Sequence, residues 1–396
     1  MSTAMARGLK SYIHYFHKNK QKGNDSMKIC TITCHDVYNH GASLQAYGLM
    51  KYLINCGHEV EIIDYKPDYL GNHYNLLSID SPKWRKNLIT KSVYLILRVP
   101  TKIPGLKRKK AFDKFTSKYL KITKTRYASN EELKRNMPNA DAYICGSDQI
   151  WNTLRRNGKD PAFYLDFVPN EKIKAAYAAS FAVDVISDED SSMIKNRIKK
   201  LDSVSIREKS GVEILKNLHI KKVVNVVDPA FLLEQSEWDK MVTRNFKEKY
   251  ILVYDFDNST IIKKIAIEIA KERGYRIYTI NPGKYNYADK CFTYDGPEMF
   301  VSLVRNAKIV ISNSFHAAVF SIIYEKDFII VNRKEAINAR MRDLLDDLGF
   351  NERLVTESYD LKKLIHHIDY SEAKIILEDK IKRSKMFLRN ALSIEK

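Results

Sequence analysis

The chain has 396 residues, of which 44% are hydrophobic and 29% charged, and 67 Lys and Arg against 48 Asp and Glu leave a formal net charge of +19. This composition is typical of a globular protein and excludes a disordered chain or a small scaffold held together by disulfides. At about 100 to 200 residues per domain, the length predicts two or three domains.

The longest apolar runs, Ser92–Val99 and Ala317–Tyr324, are far shorter than the roughly 20 residues that cross a bilayer. We therefore expect no membrane span. The N-terminus carries Arg7 and Lys10 but no uninterrupted apolar core after them, so it does not resemble a secretion signal. These observations favour a cytoplasmic protein.

Most of the positive charge lies in two segments. Residues 1–26 hold five Lys or Arg and one Asp, and residues 83–136 hold 17 Lys or Arg against three acidic residues. The second segment mixes the basic run Lys107–Lys110 with apolar residues such as Leu95–Leu97 and Phe112, as helices on a membrane surface do. We expect it to dock on an anionic membrane face, and a solvated basic surface is the alternative. No base-stacking motif or helix-turn-helix is present, so nucleic acid is not an expected partner.

The chain begins with a polar and basic appendage, 1–26, and then shows a β-α-β pattern. Met27–Cys34 is rich in β-formers, Tyr38–Gly41 is a polar turn, Ala42–Asn55 has apolar residues at largely helical spacing, and Glu59–Asp64 is strand-like. The segment at about 83–136 then forms a basic insertion in this lobe.

Strands and helices continue to alternate up to the C-terminus. Further strands are predicted at Ala140–Cys145, Lys174–Ser180, Ser203–Ile206, Val223–Val227, Tyr250–Phe256, Tyr275–Ile280, Lys308–Ile311 and Asp327–Val331, with helices at Glu208–Leu218, Thr260–Arg273, Pro297–Asn306, His316–Tyr324, Ile337–Leu348 and Ser371–Leu392. Such alternation is typical of parallel sheets covered by helices, so the predicted fold class is α/β.

Two α/β lobes follow from this pattern. The Asp228-Pro229 step and the polar segment after it mark the boundary. The N-terminal lobe then covers 27–235, the C-terminal lobe 236–370, and a final helix lies in 371–396. Open α/β sheets bind ligands at the carboxyl ends of their strands, so we expect the lobes to face each other across a central cleft.

A first candidate ligand-binding loop joins the first strand to the first helix. Asn39 and Gly41 stand at a helix start, where free backbone N–H groups attract anions and a glycine lets a ligand approach closely. An ordinary β-α turn explains these residues equally well.

A second candidate loop, Gly146–Asn152, follows the strand Ala140–Cys145. Asp148 is a candidate base for a sugar hydroxyl, and Trp151 a candidate platform for a sugar ring. The alternative is a helix cap by Ser147 or Asp148 with Trp151 in the core.

Three further positions carry charge or polarity at the ends of strands or the starts of helices. Arg207 can bind a carboxylate or phosphate through two parallel hydrogen bonds, or it pairs with the neighbouring Glu208. Ser314 and His316 stand at a helix start, which favours phosphate and places an imidazole beside it, although a structural histidine fits too. Arg340 faces either the cleft or the solvent.

Five motifs, taken together, resemble the signature series of the polysaccharide pyruvyl transferase family over about residues 27–355. They are Asn39-His40-Gly41, Gly146 to Asn152, Arg207-Glu208-Lys209-Ser210, Asp228-Pro229 and Ser314-Phe315-His316. The resemblance implies two Rossmann-like lobes similar to those of B-type glycosyltransferases. It also implies that phosphoenolpyruvate gives its pyruvyl group to two hydroxyls of a sugar in a surface or capsular polysaccharide, which forms a cyclic ketal. By the same likeness, Arg207 and His316 contact phosphoenolpyruvate.

One position departs from the family pattern. Many members have Arg two residues before the histidine, whereas this chain has Ser314. Our hypothesis is that Arg340 supplies the missing charge, so that Arg207, Arg340, Ser314 and His316 bind phosphoenolpyruvate.

The same resemblance suggests roles for the remaining candidates. His316 is the expected acid, or the group that neutralises the leaving phosphate, and Asp148 is the expected base. Residues of the acceptor site or cleft are predicted to be Asn39, Gly41, Ser147, Trp151 and Asn152. No metal and no cofactor besides the co-substrate phosphoenolpyruvate is expected. The expected acceptor is a sugar or a lipid-linked oligosaccharide, and a lipid-linked acceptor would place the protein at the inner face of the membrane.

Two other functions fit the same sequence. A nucleotide-sugar-dependent glycosyltransferase would use the same architecture and would bind a nucleotide diphosphate sugar. A non-catalytic polysaccharide-assembly protein would keep the fold without the reaction, and Ser314 is the feature that favours it.

Overall fold

The computed structural model of the protein describes residues 26–71, 105–335 and 337–394. Seven parallel strands form the sheet of the N-terminal lobe: β1 (Lys28–Ile32), β2 (Glu59–Tyr65), β3 (Ile122–Tyr127), β4 (Ala142–Cys145), β5 (Ile173–Ala179), β6 (Ser203–Ile206) and β7 (Val223–Asn225). Their order across the sheet is β3-β2-β1-β4-β5-β6-β7.

Helices cover both faces of this sheet. They are α1 (His40–Asn55), α2 (Asp68–Gly71), α3 (105–119), α4 (Asn130–Arg135), α5 (Asp188–Ile198) and α6 (Lys209–Asn217), and α7 (Gln235–Asp239) lies in the connection to the second lobe. Because the sheet is covered on both sides, a strand such as β5 is buried along its whole length.

The C-terminal lobe has a smaller parallel sheet. Its strands are β8 (Tyr250–Tyr254), β9 (Arg276–Thr279), β10 (Lys290–Cys291), β11 (Ile309–Ser312), β12 (Asp327–Val331) and β13 (Leu354–Val355), and its helices are α8 (Thr260–Arg273), α9 (Pro297–Asn306), α10 (Phe315–Ile323), α11 (Ala339–Asp347), α12 (Leu361–Leu364) and α13 (Ser371–Leu392). The strand order is β10-β9-β8-β11-β12-β13. No helix in the described ranges is long and apolar enough to cross a membrane.

Both sheets have the strand order of a Rossmann fold. In each, the order reverses beside the first strand, between β1 and β4 in one lobe and between β8 and β11 in the other. The crevice at such a reversal is where open α/β sheets bind ligands. The prediction of two Rossmann-like lobes is confirmed.

The last helix, α13, returns to the N-terminal lobe. The backbone N–H of Val227 donates to the Ser384 hydroxyl at 2.9 Å, and the Phe387 ring lies 6.4 Å from the ring of Tyr177 in β5. The lobes are also packed together through Trp238 of α7, whose ring contacts Tyr47 of α1 and Phe320 of α10. The predicted boundary after residue 235 falls within this connection.

Part of the basic insertion predicted at 83–136 belongs to the body of the N-terminal lobe. Residues 122–127 form β3, the edge strand of the sheet, and α3 packs Phe112 and Phe115 into the protein with 2% and 0% of their surface exposed. The apolar residues of α3 are therefore used for internal packing and not for contact with a membrane. Residues 83–104 of the predicted insertion, and residues 1–25 of the predicted appendage, lie outside the described residues.

Helix α5 was not predicted, although its start carries a recognisable signal. The Ser187 hydroxyl accepts from the backbone N–H of Asp190, and the first turn contains three acidic residues, which favour the positive end of the helix. Few apolar residues follow, so the periodicity that reveals a helix is weak here.

Replacing Phe115 tests whether α3 belongs to the lobe. We expect Phe115→Ala to lower the free energy of unfolding by about 3–5 kcal/mol, because it removes a large side chain from the core. Urea unfolding measures the change, with Lys114→Ala on the exposed face of the same helix as the control. Equal effects of the two substitutions would place α3 outside the cooperative core.

Candidate active site

Two helix N-termini, one from each lobe, meet in the cleft. Asn39 caps α1, its side-chain oxygen accepting from Ala42 N at 3.2 Å, and α10 begins just after Ser314. A Cβ added to Gly41 would come closer than 3.0 Å to three atoms of the His316 side chain, so only glycine allows this contact. Since the N-terminus of a helix carries partial positive charge, the meeting point favours an anion.

Asp228 holds both Arg207 and His316. Arg207 Nη1 donates to Asp228 Oδ2 at 2.6 Å, and His316 Nε2 lies 3.5 Å from the same oxygen. All three side chains are almost fully buried. Burial would raise the pKa of the Asp228 carboxyl, but His316 and Arg207 hold that pKa below its usual value. The carboxylate is therefore ionised and fixes the positions of a guanidinium and an imidazole.

Asp148 joins the two lobes electrostatically. Its Oδ1 accepts from Arg207 Nη2 at 3.3 Å and from Arg340 Nη1, on the C-terminal lobe, at 3.1 Å. Burial would raise the pKa of the Asp148 carboxyl, but Arg207, His316 and Arg340 together hold it below its ordinary value. Burial also lowers the pKa of the Arg340 guanidinium to about 10, although Asp148 opposes that shift. Both side chains are charged at neutral pH.

Phe315 lies against both guanidinium groups. The Cζ atoms of Arg207 and Arg340 are 4.2 and 5.4 Å from the centre of its ring. A cation over an aromatic face is attracted to it, and the contact also orients the plane of each guanidinium. A pocket opens beside this stack, and Arg207, Asp228, Phe315 and Arg340 line it. Its other lining residues are Val226, Val227, Phe231, Leu344, Asp347, Leu348, Leu377 and Lys380.

The residues that follow Arg207 attach the N-terminal lobe to α11. Lys209 Nζ lies 3.4 Å from Asp346, and the backbone N–H of Ser210 donates to the Asp343 carboxylate at 2.8 Å. Glu208 is used differently: its Oε1 accepts from the backbone N–H groups of residues 181 and 182, and its Oε2 is 4.0 Å from Arg207 Nε. The main partner of Arg207 is therefore Asp228 and not the adjacent Glu208.

The structure brings together five of the predicted site residues. Arg207, Arg340, Asp148, His316 and Gly41 all lie at the meeting point of the two lobes. Asn39 and Ser314 lie beside them as the residues preceding α1 and α10.

Three predicted residues of the acceptor site are structural instead. Trp151 is fully buried, stacks on Tyr164 and donates through its indole N–H to Phe163 O at 3.0 Å, so it offers no face to a sugar. Ser147 is fully buried and donates to Ala178 O at 2.7 Å. Asn152 is buried and accepts from Leu154 N within a tight turn. Each of the three side chains is thus engaged inside the N-terminal lobe, which argues against their assignment to the acceptor site.

Sequence reasoning assigned no role to two residues at the centre of the site. Asp228 was visible as a carboxylate in an Asp-Pro step at the carboxyl edge of the sheet, and Phe315 as the middle residue of Ser314-Phe315-His316. Their contacts run between lobes, which strand and helix patterns do not reveal. Within the described ranges, no three His, Cys, Asp or Glu side chains are grouped so as to hold a metal ion.

A sequence model of the family described as polysaccharide pyruvyl transferase matches residues 39–335 of this chain. Similar solved structures include Arabidopsis thaliana UGT89C1 complexed with UDP-L-rhamnose (10% identity, TM-score 0.48, covering 93% of this chain and 99% of that one). Another is the UDP-GlcNAc 2-epimerase from Neisseria meningitidis bound to UDP-GlcNAc, with 10% identity and a TM-score of 0.47, covering 92% of this chain and 100% of that one. A third is the E. coli heptosyltransferase WaaC with ADP-2-deoxy-2-fluoro heptose, with 10% identity and a TM-score of 0.39, covering 89% of this chain and 99% of that one. No curated protein matches the sequence. With TM-scores below 0.5, the three structures support no inference about substrate.

A methyl group at Gly41 tests the contact between the lobes. We expect Gly41→Ala to destabilise the protein by about 1–3 kcal/mol, because the added carbon overlaps the His316 imidazole. Urea unfolding measures the loss. The matched control is Gly283→Ala, whose added carbon meets nothing within 4 Å. If Gly41→Ala unfolds like the control, the two helix ends do not touch.

Proposed function

The chain belongs to the polysaccharide pyruvyl transferase family, and we propose that it transfers the pyruvyl group of phosphoenolpyruvate to two hydroxyls of a sugar, forming a cyclic ketal. The acceptor is a unit of a surface or capsular polysaccharide, carried on a lipid at the inner face of the membrane. The observation that carries the proposal is the convergence of Arg207, Arg340, His316 and two helix N-termini at one point between the lobes.

Phosphoenolpyruvate suits such a site because it is small and carries nearly three negative charges on a carboxylate and a phosphate. Guanidinium groups bind either group through paired hydrogen bonds. Arg207 and Arg340 line the pocket beside Phe315, and within the described residues the Nε of each has no hydrogen-bond partner, so N–H donors remain for the carboxylate. Helix N-termini bind phosphate through unpaired backbone N–H groups. In this arrangement the reacting carbon lies near His316.

The reaction begins with proton transfer to the methylene carbon of phosphoenolpyruvate. His316 is the acid, and the Asp228 carboxylate lies 3.5 Å from its Nε2. Protonation turns the methylene into a methyl group and leaves an oxocarbenium-like centre, to which one sugar hydroxyl adds. The second hydroxyl then attacks the same carbon, the C–O bond to phosphate breaks, and inorganic phosphate leaves. Of the two hydroxyl protons, one restores His316 and the other leaves with the phosphate.

This scheme changes the role of Asp148. A carboxylate whose pKa is held below its ordinary value is a weak base, and Asp148 is already engaged by two guanidinium groups. We therefore propose that it positions Arg207 and Arg340 and that phosphate accepts the second proton.

Replacing His316 tests the assignment of the acid. We expect His316→Gln to lower kcat by about 100- to 10,000-fold, with a smaller change in the Kd of phosphoenolpyruvate, because proton transfer is lost while the arginines remain. Phosphate release and the mass of the ketal product measure the rate. The control is His367→Gln, at an imidazole that is 82% exposed.

Two results would contradict the proposal. A normal rate in His316→Gln removes the acid assignment. Stabilisation of the wild-type protein by a nucleotide diphosphate sugar, and not by phosphoenolpyruvate, in a thermal-shift comparison favours the glycosyltransferase alternative.

The exposed face of α3 is the best candidate for contact with an anionic membrane. Lys107, Lys110, Lys114 and Lys118 are all exposed and are spaced three or four residues apart, so they form one stripe along the helix. Each Lys near an anionic surface contributes about 1 kcal/mol of attraction. Contact of this type is electrostatic, since the apolar face of α3 is buried.

Neutralising this stripe tests the membrane proposal. We expect replacement of the four lysines by Gln to weaken binding to vesicles containing phosphatidylglycerol by at least about tenfold, while phosphoenolpyruvate binding stays unchanged. Co-sedimentation measures the partition. The matched control replaces four exposed basic residues of α8, namely Lys263, Lys264, Lys271 and Arg273. Equal effects of the two sets would mean that only net charge matters.

A further inference from the structure

Arg108, in α3, is a buried cation between the two lobes. Its side chain is directed at the N-terminal lobe, where Nη2 lies 3.5 Å from Tyr38 O, and at the C-terminal lobe, where Nη1 lies 3.4 Å from Thr293 O. Only 3% of its surface is exposed. Both distances are long for hydrogen bonds to a charged group, so these carbonyls solvate the guanidinium poorly.

Arg108 differs from the other buried arginines in having no carboxylate in contact with its guanidinium, and Asp295 interacts with it only from a longer distance. Four arginines are buried within the described ranges, and three of them have a carboxylate within 4.0 Å: Arg207, Arg340 and Arg353. Arg108 has no carboxylate at that distance among the described residues, and its Nε has no hydrogen-bond partner. The Phe112 ring, 4.9 Å from its Cζ, offsets a small part of the cost. A buried charge without a partner is costly, and an anion would complete this environment.

The N-terminus of α1 lies beside this guanidinium. The backbone N–H groups of His40 and Gly41 donate to no group in the described part of the chain, although both residues are buried. Buried N–H groups without acceptors are rare in folded proteins. Arg108 Nη2 is 3.5 Å from Tyr38 O, two residues before His40, so the guanidinium lies close to the start of α1.

The imidazole of His40 does not neutralise Arg108. It lies between the rings of Phe112 and Phe300, at 5.0 and 5.5 Å, and has no exposed surface. Burial, together with Arg108, lowers the pKa of His40 well below its ordinary value. The ring is therefore neutral, and Arg108 donates to its Nε2.

The charges at the centre of the site also indicate that a further cation is needed to bind an anionic ligand. Arg207 and Arg340 are matched there by the carboxylates of Asp148 and Asp228. These four groups add no net charge for a ligand with nearly three negative charges. Further positive charge has to come from the helix N-termini and from a guanidinium that has no carboxylate in contact with it.

We propose that Arg108 and the backbone N–H groups of His40 and Gly41 form a subsite for a phosphate group of a substrate. The identity of the phosphate rests on the proposed function, because phosphoenolpyruvate and a lipid-linked acceptor both carry one. Since Gly41 contacts His316, a phosphate here lies next to the imidazole assigned as the acid. Arg108 contacts both lobes, so the subsite is complete only when they are together.

Replacing Arg108 by a neutral residue of similar length tests the subsite. We expect Arg108→Met to weaken binding of inorganic phosphate and of phosphoenolpyruvate by about 10- to 100-fold, as for loss of a hydrogen-bonded charge. Binding of pyruvate, which has no phosphate, stays unchanged. Titration calorimetry gives the three affinities. The control is Lys110→Met, the same loss of charge at an exposed position of the same helix.

Thermal unfolding separates this role from a purely structural one. We expect the melting temperature of Arg108→Met to equal or exceed that of the wild type, since an uncompensated buried charge has been removed. A lower melting temperature with phosphate affinity unchanged would assign Arg108 to packing between the lobes and overturn the subsite. Arg108→Lys, which keeps the charge, is expected to retain part of the phosphate affinity, and complete loss in this variant would also count against the proposal.

Kinetics distinguish this inference from the proposed function. If Arg108→Met raises KM for phosphoenolpyruvate alone, the subsite holds the phosphate of the donor substrate, and if it raises KM for the acceptor alone, it holds that of the acceptor. Normal values of both in an active enzyme would overturn the subsite and leave the function intact. Phosphate binding that depends on Arg108, in a wild-type protein that forms no ketal, would support the subsite and refute the function.

Discussion

The site depends on the contact between Gly41 at the start of α1 and His316 at the start of α10. Each helix brings the positive end of its dipole to the same point, and the two ends repel each other unless negative charge lies near them. Asp228 supplies that charge within the protein, because its carboxylate faces both His316 and Arg207. The closed arrangement of the lobes is therefore an electrostatic balance as much as a packing of surfaces.

This balance makes the ligand a competitor of the protein's own carboxylates. Asp148 connects Arg207 of one lobe to Arg340 of the other, at the place where a substrate carboxylate would bind. An incoming anion has to share these guanidinium groups with Asp148 or displace it. Such competition lowers the affinity for an anionic ligand. It also allows a product anion to leave, because Asp148 then pairs with both guanidinium groups again.

The sequence predicted the α/β class, the two lobes and most strands, because buried parallel strands form continuous apolar runs that alternate with amphipathic helices. It placed Asp148, Arg207 and His316 at one cleft, since polar residues shortly after strands lie at the carboxyl edge of a sheet, and the structure brings Arg340 and Gly41 to the same meeting point. It failed where a residue's role depends on its neighbours in space. Trp151 and Asn152 belong to a loop that folds back into the core, and Arg108 stands in a run of four basic residues of which it alone is buried. Charge counts along the chain do not distinguish a buried cation from an exposed one.

The return of α13 to the N-terminal sheet has a consequence for how the molecule moves. The two lobes are linked twice, once by the chain between β7 and β8 and once by the segment leading into α13, whose Ser384 holds the backbone of Val227. Two links of this kind restrict the relative motion of the lobes more than a single connection does. The α6–α11 contact lies beside the second link, because Asp347 of α11 pairs with Lys209 of α6 and with Lys380 of α13. Helix α13 therefore fixes both lobes at this contact as well as at Val227.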